Sequence, residues 1–311
     1  MRGVLIANPL AGTREQRRID EAVAHCERLV PHLDVVHTDH PGHAEEVAAE
    51  AVATNVDTVV VLGGDGTTRE AASGLARSGT GRSPGRRPAM VNLPFGTGNS
   101  FYQEIWADMP WRRALDTALS GSRPHLRWVD MARIREADAL ALLGAGSGLV
   151  AEALKTAYRM LEVQGRDRYQ QAVARTVGEF TPYPGRVTVD GEVVHEGSVT
   201  LVNVGGGRYR GGQFKLLPHS VIDDGVLDVC VVGGEMGAQE LAGLTRDGRH
   251  VGVHGVVYRR GTTFLIERTD GEPLSFEHDG ELLTGDAQRY TVDVLPGILP
   301  VLAPRRTGGA G

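Results

Sequence analysis

The chain has 311 residues, of which 41% are hydrophobic and 23% charged, as in a folded globular protein of about two domains. Its net charge of −6 argues against a protein that binds nucleic acid through a broad basic surface. Asn8-Pro9 cuts short the apolar run at the start, which is unlike a secretion signal, and no stretch of about 18 apolar residues could cross a bilayer. We therefore expect a cytoplasmic protein that can visit a membrane only peripherally. Cys26 and Cys230 lie in apolar patterns and are predicted to be buried thiols.

Strand and helix patterns alternate through residues 1–125. The predicted strands are 4–7, 34–37, 58–62 and 89–92, and the predicted helices are 14–30, 44–52, 68–77 and about 99–106. Alternation at this spacing predicts a parallel sheet with helices on both faces. We assign residues 1–125 to this α/β domain.

The pattern changes after Pro124, where residues 128–134 alternate with period two. A helical insertion is predicted at 149–177. The later strands are predicted at 186–189, 193–195, 198–204, 227–232, 262–268, 274–277 and 290–295. Short strands separated by turn pairs predict a mainly antiparallel β-sandwich over residues 126–297. Residues 298–311 remain as a C-terminal tail, which we expect to pack back on the first domain.

Glycine-rich turns follow three of the predicted parallel strands, at 8–12, 63–67 and 94–99. Ligands of open α/β sheets bind beyond the carboxyl ends of the strands, and glycine lets the backbone approach a phosphate closely. The three turns therefore predict a nucleotide-binding cradle. Asp65 within it would repel phosphates, unless a divalent cation lies between them. A Walker-type loop is excluded because the only lysines are Lys155 and Lys215.

Two acidic turns stand out in the second half. Asp223, Asp224 and Asp228 precede or enter an apolar strand, and they fit either a hydrated turn or a Mg²⁺ site of carboxylate and carbonyl oxygens. The turn at 278–281 is either a simple hairpin or a turn that presents Glu281 as a proton acceptor.

Four histidines, His32, His37, His40 and His43, lie close together in the sequence. We expect no metal site there, because no set of cysteines or carboxylates is predicted to converge on them.

Four segments resemble one known family. GGDGT at 63–67, PFGTGN at 94–99, VNVGGGRYRGGQFKLLPHSVIDDGVLDV at 202–229 and HDGE at 278–281 resemble the soluble bacterial diacylglycerol kinases and related lipid kinases. That family shares its catalytic domain with sphingosine kinases and, more distantly, with NAD kinases. The segments occur in the family's order and span nearly the whole chain. The resemblance implies an NAD-kinase-like α/β domain, a β-sandwich domain, and an ATP- and Mg²⁺-dependent kinase that phosphorylates a lipid hydroxyl, with diacylglycerol as the first candidate.

The resemblance also implies residue roles. It assigns nucleotide binding to Asn8, Gly12, Thr38, Gly63, Gly64, Asp65, Gly66, Thr67, Thr68, Arg69, Gly96 and Thr97. Asp65 would also act in catalysis, and Glu281 would be the catalytic base. Asp224 would bind a metal ion together with the main-chain oxygens of Val221 and Val226. The chain departs from the family pattern at Arg69, where asparagine is usual, and at Ser100, where aspartate is usual.

Two other functions stay open at this point. One is a kinase of sphingoid-type or other lipid alcohols. The other is a regulator that binds nucleotide or lipid without turnover, suggested by Arg69 and Ser100. The expected partners are a lipid-like alcohol and, transiently, a membrane surface, for which the basic segment 82–87 is the candidate contact. A homodimer is also possible.

Overall fold

The computed structural model describes residues 1–12, 16–80, 87–120, 125–160, 162–163 and 165–304. The chain divides into two compact units: unit 1 is Met1–Val129 with Gly297–Gly311, and unit 2 is Asp130–Pro296. No helix within the described ranges is both long and apolar enough to cross a membrane. The basic segment 82–87 lies outside the described residues apart from Arg87, which donates to the Ile298 carbonyl (3.1 Å).

Unit 1 is an alternating α/β unit. Its elements are β1 (Arg2–Ala7), α1 (Gln16–Leu29), β2 (His32–His37), α2 (His43–Ala53), β3 (Thr58–Gly63), α3 (Asp65–Gly79), β4 (Ala89–Pro94), α4 (Ser100–Trp106) and α5 (Trp111–Leu119). The strands pair in parallel in the order β2-β1-β3-β4. Every residue of β3 is buried, which explains why this strand is apolar throughout rather than alternating.

Helix α5 is absent from the sequence prediction. Pro110 precedes it, and it buries Trp111, Ala114, Leu115 and Ala118 on one face. Proline just before a helix is compatible with its first turn, because no intrahelical acceptor is needed there. The aromatic residues of α4 belong to the core, since Phe101, Tyr102 and Trp106 are all buried.

Unit 2 is mostly antiparallel. Its elements are β5 (His125–Ile134), β6 (Ala139–Ala141), β7 (Ala145–Gly148), α6 (Leu149–Arg159), α7 (Gly165–Glu179), β8 (Tyr183–Val189), β9 (Glu192–Gly205), β10 (Tyr209–Arg210), β11 (Phe214–Lys215), β12 (Leu227–Gly233), α8 (Ala238–Leu244), β13 (Val256–Gly261), β14 (Thr263–Arg268), β15 (Phe276–His278), β16 (Glu281–Leu282) and β17 (Arg289–Ala303). Strand β9 pairs with β7, β8 and β12, and β14 pairs with β8 and β17, always antiparallel. β5 begins in unit 1 and β17 ends there, where Val301 pairs in parallel with Met90 of β4.

The predicted fold class is confirmed: a parallel α/β unit is combined with a mostly antiparallel β unit. The predicted helical insertion is present and consists of two helices, α6 and α7. The Thr176 hydroxyl of α7 donates to the Thr156 hydroxyl of α6 (2.9 Å). Each helix also has a buried alanine close to this threonine in the sequence: Ala157 in α6 and Ala172 in α7. A single helix over 149–177 would be about 44 Å long and could not fold back so that Thr156 and Thr176 form a hydrogen bond.

Candidate active site

The nucleotide-type loops of unit 1 meet at one edge of its sheet. Ala7 pairs with His37 and Leu62, and Gly63 pairs with Pro94, so the residues that follow these strands are neighbours. The Asn8 amide donates to the Leu62 carbonyl and the Thr38 amide to the Ala7 carbonyl, each at 2.9 Å. The parallel register therefore brings all three glycine turns and Thr38 together.

Several glycines of these loops serve the contact between the loops. A Cβ on Gly96 would lie 2.2 Å from the Gly64 Cα, and a Cβ on Gly12, whose φ is +59°, would lie 2.4 Å from the Phe95 carbonyl oxygen. Neither position admits a side chain without separating the backbones. Gly66 is different, because it is exposed and a Cβ there would meet no atom within 4 Å. Gly66 is thus the glycine whose bare backbone faces open space.

Helix α3 presents its N-terminus beside Gly66. Gly64 is the N-cap residue, and the Thr68 hydroxyl donates back to the Gly64 carbonyl (2.9 Å). The buried Thr67 hydroxyl accepts a hydrogen bond from the Asn8 side-chain amide (2.9 Å), which ties the first loop to the helix. The first amides of a helix have no intrahelical acceptor and carry partial positive charge. The start of α3 is therefore suited to an anion such as a phosphate.

Asp65 has a structural role that the sequence did not indicate. Its two carboxylate oxygens accept the backbone amides of Ser100 and Phe101, each at 3.0 Å, at the start of α4. The carboxylate thus joins the N-termini of α3 and α4. Since Ser100 contributes its amide rather than its hydroxyl, the departure from the family's aspartate at this position leaves the contact intact.

The other predicted nucleotide residues are accessible to different degrees. Thr97 is exposed and Gly63 is buried. The remaining three are half-buried: Thr38, Arg69 and Gly96. The loop around Thr97 is closed by Asn99, whose side chain accepts from the Gly96 amide and donates to the Gly96 carbonyl, both at 2.8 Å.

Arg18 lies beside the third glycine loop, and the sequence analysis did not single it out. It lies on α1, donates to the Pro94 carbonyl (3.3 Å) and stacks over the Phe95 ring at 4.7 Å. The guanidinium adds a positive charge to the third glycine loop, where it could attract phosphate oxygens. No short motif surrounds it, so only its place on α1 reveals it.

In unit 2, Glu281 lies at the exit of a rigid hairpin turn. It starts β16 and pairs with His278 of β15. The carboxylate of Asp279, in the turn, accepts the amides of Leu142 (2.5 Å), Leu143 (2.9 Å) and Gly144 (3.0 Å). The turn is thereby fixed to a loop more than 130 residues earlier, and the Glu281 residue is left exposed.

A second glutamate lies beneath that turn. Glu277 is 5% exposed and accepts the Gly280 amide (2.9 Å). Burial raises the pKa of Glu277 to about 7, although the nearby Arg210 guanidinium and the Gly280 amide act in the opposite direction. The sequence analysis did not single it out, because it has the appearance of one alternating strand residue.

An apolar cavity of about 40 Å³ lies among α6, α7, α8 and β9 of unit 2. Its lining is almost entirely apolar and includes Ala153, Leu201 and Ala242. Tyr169 and Arg210 also line it, and both interact electrostatically with Glu277 below the hairpin turn. Two polar residues of the cavity lining are thus within electrostatic range of Glu277, which precedes the turn that carries Glu281.

The predicted metal residues form a loop stabilised by other contacts. The Asp224 carboxylate forms an ion pair with Arg260, and its other oxygen lies 3.4 Å from the Val226 amide. Asp130, which the sequence analysis missed, is buried and accepts the Gly225 amide (2.7 Å). One carboxylate with neighbouring carbonyls suits Mg²⁺. The charge of Asp224, however, is already balanced by Arg260, so a cation would compete with this ion pair.

The comparisons with known proteins cover both units. The family model of the diacylglycerol kinase catalytic domain matches residues 2–134, and that of the YegS C-terminal NAD kinase beta sandwich-like domain matches residues 144–303. A "Probable lipid kinase YegS-like" of Xanthomonas oryzae pv. oryzae is 31% identical over 293 residues, which is 91% of each chain. A "Probable lipid kinase YegS" of Salmonella arizonae is 26% identical and covers 97% of this chain and 95% of its own.

Solved structures agree in fold. A crystal structure of a diacylglycerol kinase from Bacillus anthracis str. Sterne is similar with a TM-score of 0.72 at 24% identity, over 99% of this chain and 98% of that chain. Another crystal structure from the same organism reaches a TM-score of 0.78 at 25% identity, over 99% and 96% of the two chains. With both domain models matched in order, the predicted resemblance is confirmed, and the chain belongs to the YegS-like lipid kinases, an ATP-dependent family built on the diacylglycerol kinase catalytic domain.

Proposed function

We propose that this kinase transfers the γ-phosphate of ATP to the hydroxyl of a lipid alcohol, with diacylglycerol as the first candidate acceptor. The observation that carries the acceptor class is the apolar cavity of unit 2, two of whose lining residues, Tyr169 and Arg210, interact electrostatically with Glu277 beside the Glu281 hairpin. A small polar alcohol would gain nothing from such a lining, whereas an acyl chain gains about 0.8 kcal/mol for each buried methylene. At about 40 Å³ the cavity admits only part of a chain, so binding would require α7 or α8 to move outward.

Donor binding falls to unit 1 in this proposal. The open backbone at Gly66 and the N-terminus of α3 would receive the phosphates, with Arg18 adding positive charge. Asn8, Thr38, Arg69 and Thr97 complete the proposed nucleotide set. Mg²⁺ bound with ATP would offset phosphate charge. A second Mg²⁺ at Asp224, with the Val221 and Val226 carbonyls, would bind there in place of the Arg260 guanidinium.

Glu281 is proposed as the base that accepts the proton of the acceptor hydroxyl. It is exposed and ionisable, and Asp279 holds its turn in place through three backbone amides. A carboxylate in this role contributes about 10²–10⁴-fold to turnover.

The decisive experiment measures phosphate transfer from radiolabelled ATP to a panel of lipid alcohols: diacylglycerols of several chain lengths, a monoacylglycerol, phosphatidylglycerol and a sphingoid base. Glu281→Gln should reduce turnover by about 10²–10⁴-fold on the true acceptor. Glu192→Gln, at an exposed position at the start of β9, is the matched control and should retain wild-type turnover. Full activity of Glu281→Gln would refute the base. If wild type labels none of the lipids, the result would favour the regulator that binds without turnover.

The cavity has a separate test with two substitutions on α8. Ala242→Leu places three extra carbons in the cavity, whereas Ala238→Leu adds the same carbons to a half-buried position of the same helix that does not line it. Ala242→Leu should raise KM for long-chain acceptors while sparing short-chain ones, and Ala238→Leu should leave the chain-length profile unchanged. Identical profiles for wild type and both variants would show that acyl chains bind elsewhere.

A further inference from the structure

The segment between β2 and α2 holds a cluster of possible metal ligands on a preformed turn. His40 to His43 is a β-turn closed by the His43 amide and the His40 carbonyl (3.3 Å), with Pro41 second and Gly42 third. Gly42 has φ +88° and ψ −15°, the values required of the third residue of a type II turn. The turn therefore places the first and fourth side chains, His40 and His43, next to one another.

Asp39 joins the two histidines, which corrects the expectation that no carboxylate would converge on them. One oxygen of the Asp39 carboxylate, Oδ1, lies 2.5 Å from Nδ1 of His40 and 2.7 Å from Nδ1 of His43. The two imidazole rings stack with their centroids 4.7 Å apart. Three potential ligand atoms, one from each residue, lie within 4.8 Å of one another.

Glu46 supplies a second carboxylate behind the cluster. Its Oε1 lies 3.5 Å from Nε2 of His40, whereas Asp39 approaches the other ring nitrogen, Nδ1. Histidine ligands of metal ions commonly donate their other ring nitrogen to a carboxylate, which fixes the tautomer and the orientation of the ring. In this arrangement His40 would present Nδ1 to an ion while Nε2–H donates to Glu46.

We propose that Asp39, His40 and His43 form a binding site for a divalent transition-metal ion, of which Zn²⁺ is the representative, distinct from the Mg²⁺ of phosphoryl transfer. Two imidazole nitrogens with one carboxylate oxygen favour Zn²⁺, Cu²⁺ or Ni²⁺ over Mg²⁺, which prefers oxygen ligands. The ion takes the place of the hydrogen bond between Asp39 and Nδ1 of His40 and of the bond that the Asp39 backbone amide donates to Nδ1 of His43 (3.3 Å), and both histidines bind it as neutral imidazoles. The stacked rings must rotate apart for both Nδ1 lone pairs to point at one ion, and the exposure of His40 leaves room for this.

The site lies next in the chain to the sheet edge of unit 1 where the three glycine turns and Thr38 meet. Asp39 directly follows Thr38, whose amide donates to the Ala7 carbonyl at the end of β1. Three protein ligands leave at least one coordination position for water or for an anionic group of a ligand. The inference concerns this chain's own metal binding and does not depend on the acceptor lipid.

Isothermal titration of the full-length protein with ZnCl₂, in excess Mg²⁺ and without nucleotide, tests the site. Wild type should bind one Zn²⁺ whose affinity falls at least tenfold in His40→Ala, in His43→Ala and in Asp39→Asn. Glu46→Gln should reduce affinity by about tenfold, at the lower end of the range for a residue that orients a ligand. His32→Ala, an exposed histidine at the opposite end of β2, is the matched control and should bind as wild type does.

Unchanged Zn²⁺ affinity in both His40→Ala and His43→Ala would overturn the proposal, as would an equal loss in His32→Ala. Tryptophan fluorescence of each variant checks folding, since Asp39, His40 and Glu46 are exposed and His43 is half-buried, so that their loss should leave unit 1 intact. As a second readout, the imidazole proton resonances of His40 and His43 should shift on addition of Zn²⁺ and remain unchanged with Mg²⁺. Shifts confined to other histidines would also refute the site.

Discussion

Two glycines at the sheet edge where the three glycine turns meet, Gly96 and Gly66, should change the stability of unit 1 in opposite directions when replaced by alanine. A methyl group on Gly96 would lie 2.2 Å from the Gly64 Cα and 3.0 Å from the Gly64 nitrogen. Ordinary contacts of this kind exceed about 3.4 Å, so the two loops would have to separate by roughly 1 Å, and backbone atoms cannot rotate away as a side chain would. Overpacking of this kind costs about 1–3 kcal/mol. Gly96→Ala should therefore destabilise unit 1 by that amount.

Gly66→Ala should leave unit 1 as stable as wild type or slightly more stable. Gly66 is in the first turn of α3, and its added methyl would meet nothing within 4 Å. Replacing glycine by alanine within a helix contributes about 0.5–1 kcal/mol. The same methyl would stand where the proposed site receives a phosphate at the helix N-terminus, so KM for ATP should rise at least tenfold. Stability and nucleotide affinity are thus predicted to change independently at this position.

The assay is direct because Trp106, Trp111 and Trp128 are the three tryptophans of the chain, and all belong to unit 1. Urea unfolding followed by tryptophan fluorescence therefore reports on unit 1, and KM for ATP is measured in parallel at saturating acceptor. A Gly66→Ala protein with wild-type KM for ATP would refute phosphate binding over Gly66. A Gly96→Ala protein with the wild-type unfolding midpoint would refute the close packing of Gly96 against Gly64.

Three further outcomes follow from single side chains. Asp65→Ala should lower the free energy of unfolding of unit 1 by about 1–2 kcal/mol, because the Ser100 and Phe101 amides lose their acceptor; an unshifted fluorescence transition would contradict this. Burial raises the pKa of Glu277 in the folded protein to about 7, whereas the unfolded chain releases this proton above about pH 4.5. The free energy of unfolding should therefore fall by about 3 kcal/mol as the pH rises from 4.5 to 7, because only the folded protein still holds the proton in this range. Glu277→Gln should abolish that loss in denaturation followed by circular dichroism at pH 5 and pH 8, and an unchanged pH slope would count against it. If Mg²⁺ binds Asp224, Asp224→Ala should remove the increase in Tm caused by Mg²⁺, whereas Arg260→Gln should enlarge it; equal increases in all variants would exclude this metal site.

The sequence was sufficient to predict the α/β edge because parallel strands obey a simple register. Once Val59–Leu62 is recognised as a buried strand, the turn after it must lie at the same edge as the turns after its neighbours. The contact between Gly64 and Gly96, by contrast, depends on loop conformations that no periodicity encodes. Glycine in such a turn indicates a close approach without telling whether a ligand or another loop makes it.

Long-range polar contacts were also beyond the sequence. Asp279 was predicted only as part of a turn, and its three bonds to the loop at 142–144 span more than 130 residues. Asp130 and Glu277 appear in the sequence as single members of alternating strands, and their burial is a product of the tertiary fold. The Asp39 cluster was missed for a more local reason, since the Pro41-Gly42 turn that brings the ligands together was not considered.

The loop at 142–144 is held from two sides, because Asp279 accepts its amides and Arg210 donates to its Leu143 carbonyl (2.7 Å). An alanine scan of the HDGE turn would therefore rank Asp279 beside Glu281, although only one of them is proposed to exchange a proton with the acceptor. If Glu281 is the base, Arg210→Ala should also lower activity, from a position outside the turn, because the Leu143 carbonyl loses its donor. A loss of activity therefore does not by itself identify a catalytic residue in this hairpin. A variant can be assigned to the chemistry only when its hairpin has first been shown to be folded.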